Sequence, residues 1–322
     1  MASTPITTNT FDGPMESALR RNKKKNGHSS EKSFAFYIAL VALPLIQYAI
    51  FYLYVNFNSI LLAFQDYDRG SGTYVYVGFK NIAMAFRDLF AMKQWGIMLR
   101  NTFLLFALDL VTKTPLTLIL SYFISRRGRV GSFVKILLFL PSIVSTMILV
   151  MTYQYFVENA LPAIGESLFS ARWTAVFTSP RSAFWAIWFF GFFAGFGNSI
   201  LIYVNAMQAV PISIYEAAEV DGAGFFRQFR SIVLPMVFPT FKELFMVSVS
   251  GLFGNQFFLF EFYGLRDAPA EIYTVGYYIY QQTNLSSSNY PRISAIGLIL
   301  TCIIVPIALA VRALMNRVDP MR

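Results

Sequence analysis

Chemistry has few places to sit in this sequence. Its 322 residues contain one histidine, His28, in a Lys-rich stretch, and one cysteine, Cys302, in an apolar run. A Ser–His or Cys–His nucleophile pair, a disulfide framework and a multi-cysteine metal site are therefore excluded, and Cys302 reads as a small apolar packing residue. No G-x-x-x-x-G-K-[ST] phosphate loop occurs, so the chain lacks the cradle that nucleotide hydrolysis of that kind requires. Three groups of residues remain. Asp109 and Lys113 stand four apart in an otherwise apolar stretch, one helical turn from each other. Such a pair is either a charge relay or substrate contact, or a mutually neutralised structural pair. A relay needs a third ionisable partner among the apolar runs; none supplies one, so the structural reading is expected. The second group is neutral and polar: Gly195, Asn198, Ser248 and Asn255. The third is acidic: Glu216, Glu219 and Asp221, beside the small Ala217 and Ala218.

The elements that carry these groups must lie in a membrane. The chain is 56% hydrophobic and 13% charged, with a mean hydropathy of +0.52. A soluble domain carries roughly 25% charge to wet its surface. The 34 Phe and 18 Tyr, against 14 Pro and 19 Gly, exclude disorder and collagen-like repeats. Crossing the hydrocarbon takes about 20 mostly apolar residues. Runs free of Asp, Glu, Lys and Arg cover residues 33–65, 136–157, 182–215, 244–260 and 293–311, and residues 101–125 are interrupted only by Asp109 and Lys113. Six transmembrane helices are expected, in an all-α integral membrane protein. The first run is far longer than a signal-peptide core of about 7–15 residues and has no small-residue cleavage site after it, so a retained helix is expected. Pro306 is expected to kink the sixth helix.

Charge sets the orientation. Arg20, Arg21, Lys23, Lys24, Lys25 and Lys32 precede the first span, and Arg126, Arg127, Arg129 and Lys135 follow the second. Cytoplasmic loops concentrate Lys and Arg, so both termini are expected in the cytoplasm, N-in and C-in. The net charge of +9 is thereby a topology signal and a lipid-headgroup contact rather than a nucleic-acid surface. The organisation expected is a basic cytoplasmic tail at residues 1–33, a six-helix domain at residues 34–318 with a cytoplasmic loop at residues 208–242, and a short tail at residues 319–322.

That loop is patterned. Pro211 suits a first helical turn, residues 215–220 are helix-compatible, Asp221-Gly222 is a turn pair, and residues 225–232 resume a helix that Leu234-Pro235 is expected to break. In the spans, Gly191, Gly195, Asn198 and Asn205 share one helical face, and Ser248, Gly251 and Asn255 share another. A lone amide in a membrane is costly unless it is paired or faces a water-filled path. Gly195, Asn198, Ser248 and Asn255 are thus pathway candidates, with Phe253 or Phe257 as ring surfaces. The competing role for such residues is helix–helix packing.

Glu216-Ala217-Ala218, three residues, Gly222, nine residues, then Ile232-x-Leu234-Pro235 resembles the EAA loop of binding-protein-dependent ABC importer permeases; Asp221, Ala223 and Pro239 also fit. Val77-Gly78-Phe79-Lys80-Asn81, Asn101-Thr102 and Phe139-Leu140-Pro141 are similar to elements of the sugar-importing branch, related to the maltose-transporter permeases. The resemblance covers residues 34–318. It implies a type I ABC importer permease fold, and a coupling helix at Glu216, Ala217, Ala218, Asp221, Gly222, Ala223, Ile232, Leu234 and Pro235 docking on a separate ATPase. It also implies two ATPase subunits that bind the ATP and Mg, a second homologous permease, an extracytoplasmic solute-binding protein and a carbohydrate cargo. No cofactor in this chain and no enzymatic activity of its own are implied. The alternative is a stand-alone secondary transporter driven by an ion gradient, which would show several intramembrane ionisable residues or an internal repeat. A membrane-embedded hydrolase would need a nucleophile–base constellation, which His28, outside the spans, cannot complete.

Overall fold

The computed structural model describes residues 36–91, 93–169, 176–264, 266 and 268–320. The basic tail with His28 lies outside them. The chain divides into two units, residues 1–61 and residues 62–322. In the first, α1 (Phe36–Leu62) is one helix with a π-helical stretch at Ala49–Tyr54. Its sequence is apolar around the whole circumference, as a lipid-facing helix requires.

The second unit opens with a hairpin, β1 (Gln65–Asp68) antiparallel to β2 (Thr73–Tyr76), in which Tyr67 faces Tyr74. Asp68 closes its turn by accepting from the Gly70 and Ser71 N–H groups. Then come α2 (Lys80–Ala91), α3 (Lys93–Arg126), α4 (Gly128–Ile143), α5 (Thr146–Ser167), α6 (Pro180–Gln208), α7 (Ile212–Val220), α8 (Phe225–Ser250), α9 (Leu259–Tyr263), α10 (Val275–Leu285) and α11 (Tyr290–Val318). With α1, five helices are long and apolar enough to cross a membrane. The pair α4–α5 brings the number to six when taken as one broken span.

The structure corrects several boundaries. The third run is bent by 95° between α4 and α5, where Val144 and Ser145 leave helical dihedrals three residues after Pro141. The fifth helix begins at Phe225 rather than near residue 244, because Leu234-Pro235 does not break it. Proline lacks an N–H and its ring crowds the preceding turn. Here the π turn Phe229–Val233 precedes it, and Leu234 N–H donates to Phe229 O, five residues back. The same arrangement recurs at Asp109–Lys113 before Thr114-Pro115 and at Phe156–Ala160 before Leu161-Pro162. Each widened turn lets the helix continue through a residue that cannot donate. Pro306 lies inside the continuous α11.

Three polar clamps position the elements around the site. The Asn81 amide donates to Gln65 O, fixing α2 against β1, and Asn81 is buried. The Asn101 amide donates to Glu271 O at 2.7 Å and Tyr273 O at 2.9 Å. Thr102 Oγ1 accepts from Val275 N–H at 3.1 Å, so α3 holds the start of α10. These are the roles the structure gives to Asn81, Asn101 and Thr102. Arg292 of α11 closes on Asp88 of α2 at 2.6 Å.

Candidate functional site

Two regions collect the candidate residues: a helical hairpin at one end of the second unit, and a cavity among α3, α6 and α8. In the hairpin, α7 ends in a Schellman turn. Ala223 N–H donates to Ala218 O at 2.8 Å, and Gly222 N–H donates to Glu219 O at 3.0 Å. Gly222 stands at φ +71, a conformation that disfavours a Cβ, while the space around it is open. The backbone, not crowding, demands glycine here.

One face of α7 packs inward and the other is presented outward. Tyr215 is buried with Tyr122, Tyr203, Met207, Val210, Val233 and Val237, and Ala218 is buried as well. Ile212, Glu216, Ala217, Val220 and Asp221 are exposed, Val220 at 88%, and Phe226 at the start of α8 is exposed beside them. The Ala217–Ala218 pair is therefore split: Ala217 faces out, while Ala218 gives close approach to its own chain. Glu219 is exposed too but is paired within its own chain, because Arg126 Nη2 bonds its Oε1 at 2.6 Å. The same guanidinium lies 4.3 Å from the centroid of the Tyr215 ring. Burial pushes the Tyr215 hydroxyl above its ordinary value, and that hydroxyl has no hydrogen-bond partner among the described residues. Ile232, Leu234 and Pro235 are half-buried in the π turn and the rising α8, so they shape the helix that carries the hairpin.

The anchor of the hairpin was not visible in the sequence. The Tyr122 hydroxyl, on α3, donates to Gln228 Oε1 at 3.2 Å, and Gln228 Nε2 donates to Ala223 O at 2.8 Å. Tyr122 is fully buried and its ring lies 4.5 Å from that of Phe225 and 5.3 Å from that of Phe229. The α3–α4 turn with Arg126 and the hairpin thus share one end of the unit, as the Lys and Arg distribution predicts.

The cavity has a volume of about 530 Å³ and is lined by Asp109, Lys113, Ser199, Ser248, Asn255 and Phe257, among others. A smaller one of about 210 Å³ adjoins the same Asp109, Lys113, Asn255 and Phe257. Ser248 and Asn255 are thereby brought together, but not on one helical face: α8 ends at Ser250, and Asn255 reaches the cavity from the following turn. Asn255 Oδ1 accepts from Phe257 N–H at 2.8 Å. It supports two consecutive non-glycine residues in left-handed backbone, Phe257 at φ 53 and Phe258 at φ 63. Each such residue costs roughly 1–3 kcal/mol and persists only where the surroundings impose it.

Asn198 is exposed away from this cavity, and Ser199 takes its place in the lining. Gly195 does not line it either. A Cβ there would collide with Lys113 Nζ, and one at Gly191 would press on the Phe258 ring at 3.2 Å. Gly195 thus makes room for Lys113, while Gly191 makes room for Phe258 and also lines the smaller cavity. Phe253 is a buried core residue. Phe257 is the ring that borders both cavities.

The chain is 30% identical over 214 residues to the polygalacturonan/rhamnogalacturonan transport system permease protein YteP of Bacillus subtilis, covering 62% of this chain and 63% of that protein. A probable ABC transporter permease of Mycoplasma pneumoniae matches at 27%, and this chain spans 63% of its length too. The arabinooligosaccharides transport system permease protein AraP of B. subtilis is 25% identical over 95% of both chains. The crystal structure of a bacterial ABC transporter involved in import of the acidic polysaccharide alginate contains a chain that superposes with a TM-score of 0.73 at 20% identity, covering 91% of this chain and 99% of that one. The profile of one family, described as binding-protein-dependent transport system inner membrane component, matches residues 94–322. The chain belongs to that family: it is a multi-pass membrane protein with the fold of an ABC importer permease.

Proposed function

We propose that this chain is the permease subunit of an ATP-driven importer that moves a carbohydrate, an oligosaccharide or related solute, delivered by an extracytoplasmic binding protein. The observation that carries this reading is the two-faced hairpin. Its inner face is fastened to α3 through Tyr122, Gln228 and Arg126, and its outer face presents Ile212, Glu216, Ala217, Val220 and Asp221. A partner pushing on α7 pushes α3 and α8 with it, and these two helices bear Asp109, Lys113 and Ser248 of the cavity. That is the linkage a lever needs. The partner is a separate ATPase, present as two copies that bind ATP and Mg, and a second homologous permease completes the pathway. Carbohydrate cargo is supported by the names of the relatives, YteP and AraP among them, and by a cavity lined with hydroxyl, amide and aromatic groups.

The test is co-expression with the ATPase, the second permease and the binding protein, followed by purification and reconstitution into vesicles. A stable complex with ATP-dependent sugar uptake is expected. Gradient-driven uptake by this chain alone, without an ATPase, overturns the reading in favour of a secondary transporter.

A further inference from the structure

The sequence leads one to expect Asp109 and Lys113 to neutralise each other as a structural pair. Three observations give them another role. First, both side chains border the larger and the smaller cavity, and they are the sole carboxylate and ammonium among the described residues lining either. Second, they are not closed on each other. Lys113 Nζ stands 4.0 Å from Asp109 Oδ2 and 3.5 Å from Gly191 O. A charge-assisted N–H···O bond closes to about 2.7–2.9 Å, so the ammonium keeps donors, and the carboxylate keeps acceptors, that the pair leaves unused. Third, the backbone around them leaves the ammonium its place. The pair spans the π turn Asp109–Lys113 that carries α3 through Pro115, and the bare Gly195 backbone leaves the space that the Lys113 amino group occupies.

We propose that Asp109 and Lys113 form a substrate subsite in the translocation cavity that takes an uncharged, hydroxyl-rich sugar. The carboxylate accepts a hydrogen bond from one hydroxyl while the ammonium donates to a neighbouring one, and Phe257 offers its ring beside them. Holding one negative and one positive group in a partly dry cavity gives zero net charge, which suits a neutral polyol. An anionic sugar drawn to Lys113 would meet Asp109 at the same place, and like charges there are unfavourable. The neutral pair thus also acts as a filter against uronates.

This inference rests on the sugar-import reading above, and the test separates the two. The complete transporter with its binding protein is reconstituted, and uptake of arabinotriose, maltotriose and trigalacturonate is measured alongside the ATP hydrolysed. Wild type is expected to move a neutral trisaccharide and not trigalacturonate. The double variant Asp109→Asn/Lys113→Gln, which removes both charges and leaves no unpaired one, is expected to assemble and hydrolyse ATP but to move at least tenfold less neutral sugar per ATP. A purely structural pair would leave that ratio at the wild-type value, and this result overturns the proposal. Asp109→Glu keeps both charges and thus the pair, and it covers the case in which the double variant fails to assemble. A changed uptake-to-ATP ratio supports the subsite, and an unchanged one overturns it. Wild type moving trigalacturonate alone overturns the subsite but leaves sugar import standing; wild type moving no sugar overturns both.

Discussion

Tyr122 and Gln228 are 106 residues apart in the chain, and the tyrosine hydroxyl donates to the glutamine Oε1 at 3.2 Å while the same amide holds Ala223 O. One buried side chain thus ties the α7–α8 turn to the end of α3. Leaving buried polar partners unsatisfied costs about 1–3 kcal/mol. Gln228→Ala is expected to lower the thermal midpoint of the purified protein by a margin of that order. It should also reduce uptake more than assembly, because the hairpin loses its grip on α3. Equal thermal midpoints for wild type and variant would remove this role.

Gly222 needs a left-handed backbone and not space. Gly222→Val is therefore expected to be strained by about 1–2 kcal/mol and to weaken ATPase attachment or uncouple hydrolysis from uptake. Gly222→Asn tolerates the same φ and should retain most of the uptake. Equal loss in both would show that the atoms of glycine, not its φ, matter.

Tyr215 keeps its ring under Arg126 while its hydroxyl is buried without a partner among the described residues. Removing that oxygen removes an unsatisfied polar group. Tyr215→Phe should match or slightly exceed wild type in thermal stability, whereas Tyr215→Ala should lose several kcal/mol, on the order of 3–5 for a buried aromatic. Thermal unfolding of the three proteins decides this.

Asn255 supports the Phe257–Phe258 turn through its Oδ1. Asn255→Asp retains that acceptor and Asn255→Leu does not. Uptake is expected to survive better in the Asp variant than in the Leu variant, with the complex assembled in both. Identical uptake would mean that the turn does not depend on this side chain.

Glu261, in α9, is half-buried, and burial holds its carboxyl above the usual carboxylate range. Gln256 Nε2 donates to its Oε1 at 3.3 Å, while its Oε2 is buried and unpaired among the described residues. A carboxyl whose folded value is raised favours the folded state fully below its unfolded value. That advantage is lost as pH rises through the folded value. The thermal midpoint of wild type should therefore fall between pH 4 and neutrality by more than that of Glu261→Gln. Parallel curves for the two proteins would exclude this group as the source.

The sequence by itself determined the membrane setting, the helix count, the hairpin with its Gly turn and the shared end of the α3–α4 turn. All of these rest on local composition, period and spacing, which the 3.6-residue repeat and the hydrocarbon thickness translate directly into structure. Tertiary structure decided the rest. Which of Ala217 and Ala218 faces out, and that Glu219 is spent on Arg126, depend on how α7 packs on α3. Asn198 and Ser199 differ by one residue in sequence and by a face in space. The helix runs through Pro235 by a π turn, a shift in hydrogen-bond register, and its end at Ser250 puts Asn255 in a turn rather than on a helical face. Tyr122, Gln228 and the open Asp109–Lys113 pair acquired their roles from contacts across elements, which no local pattern encodes.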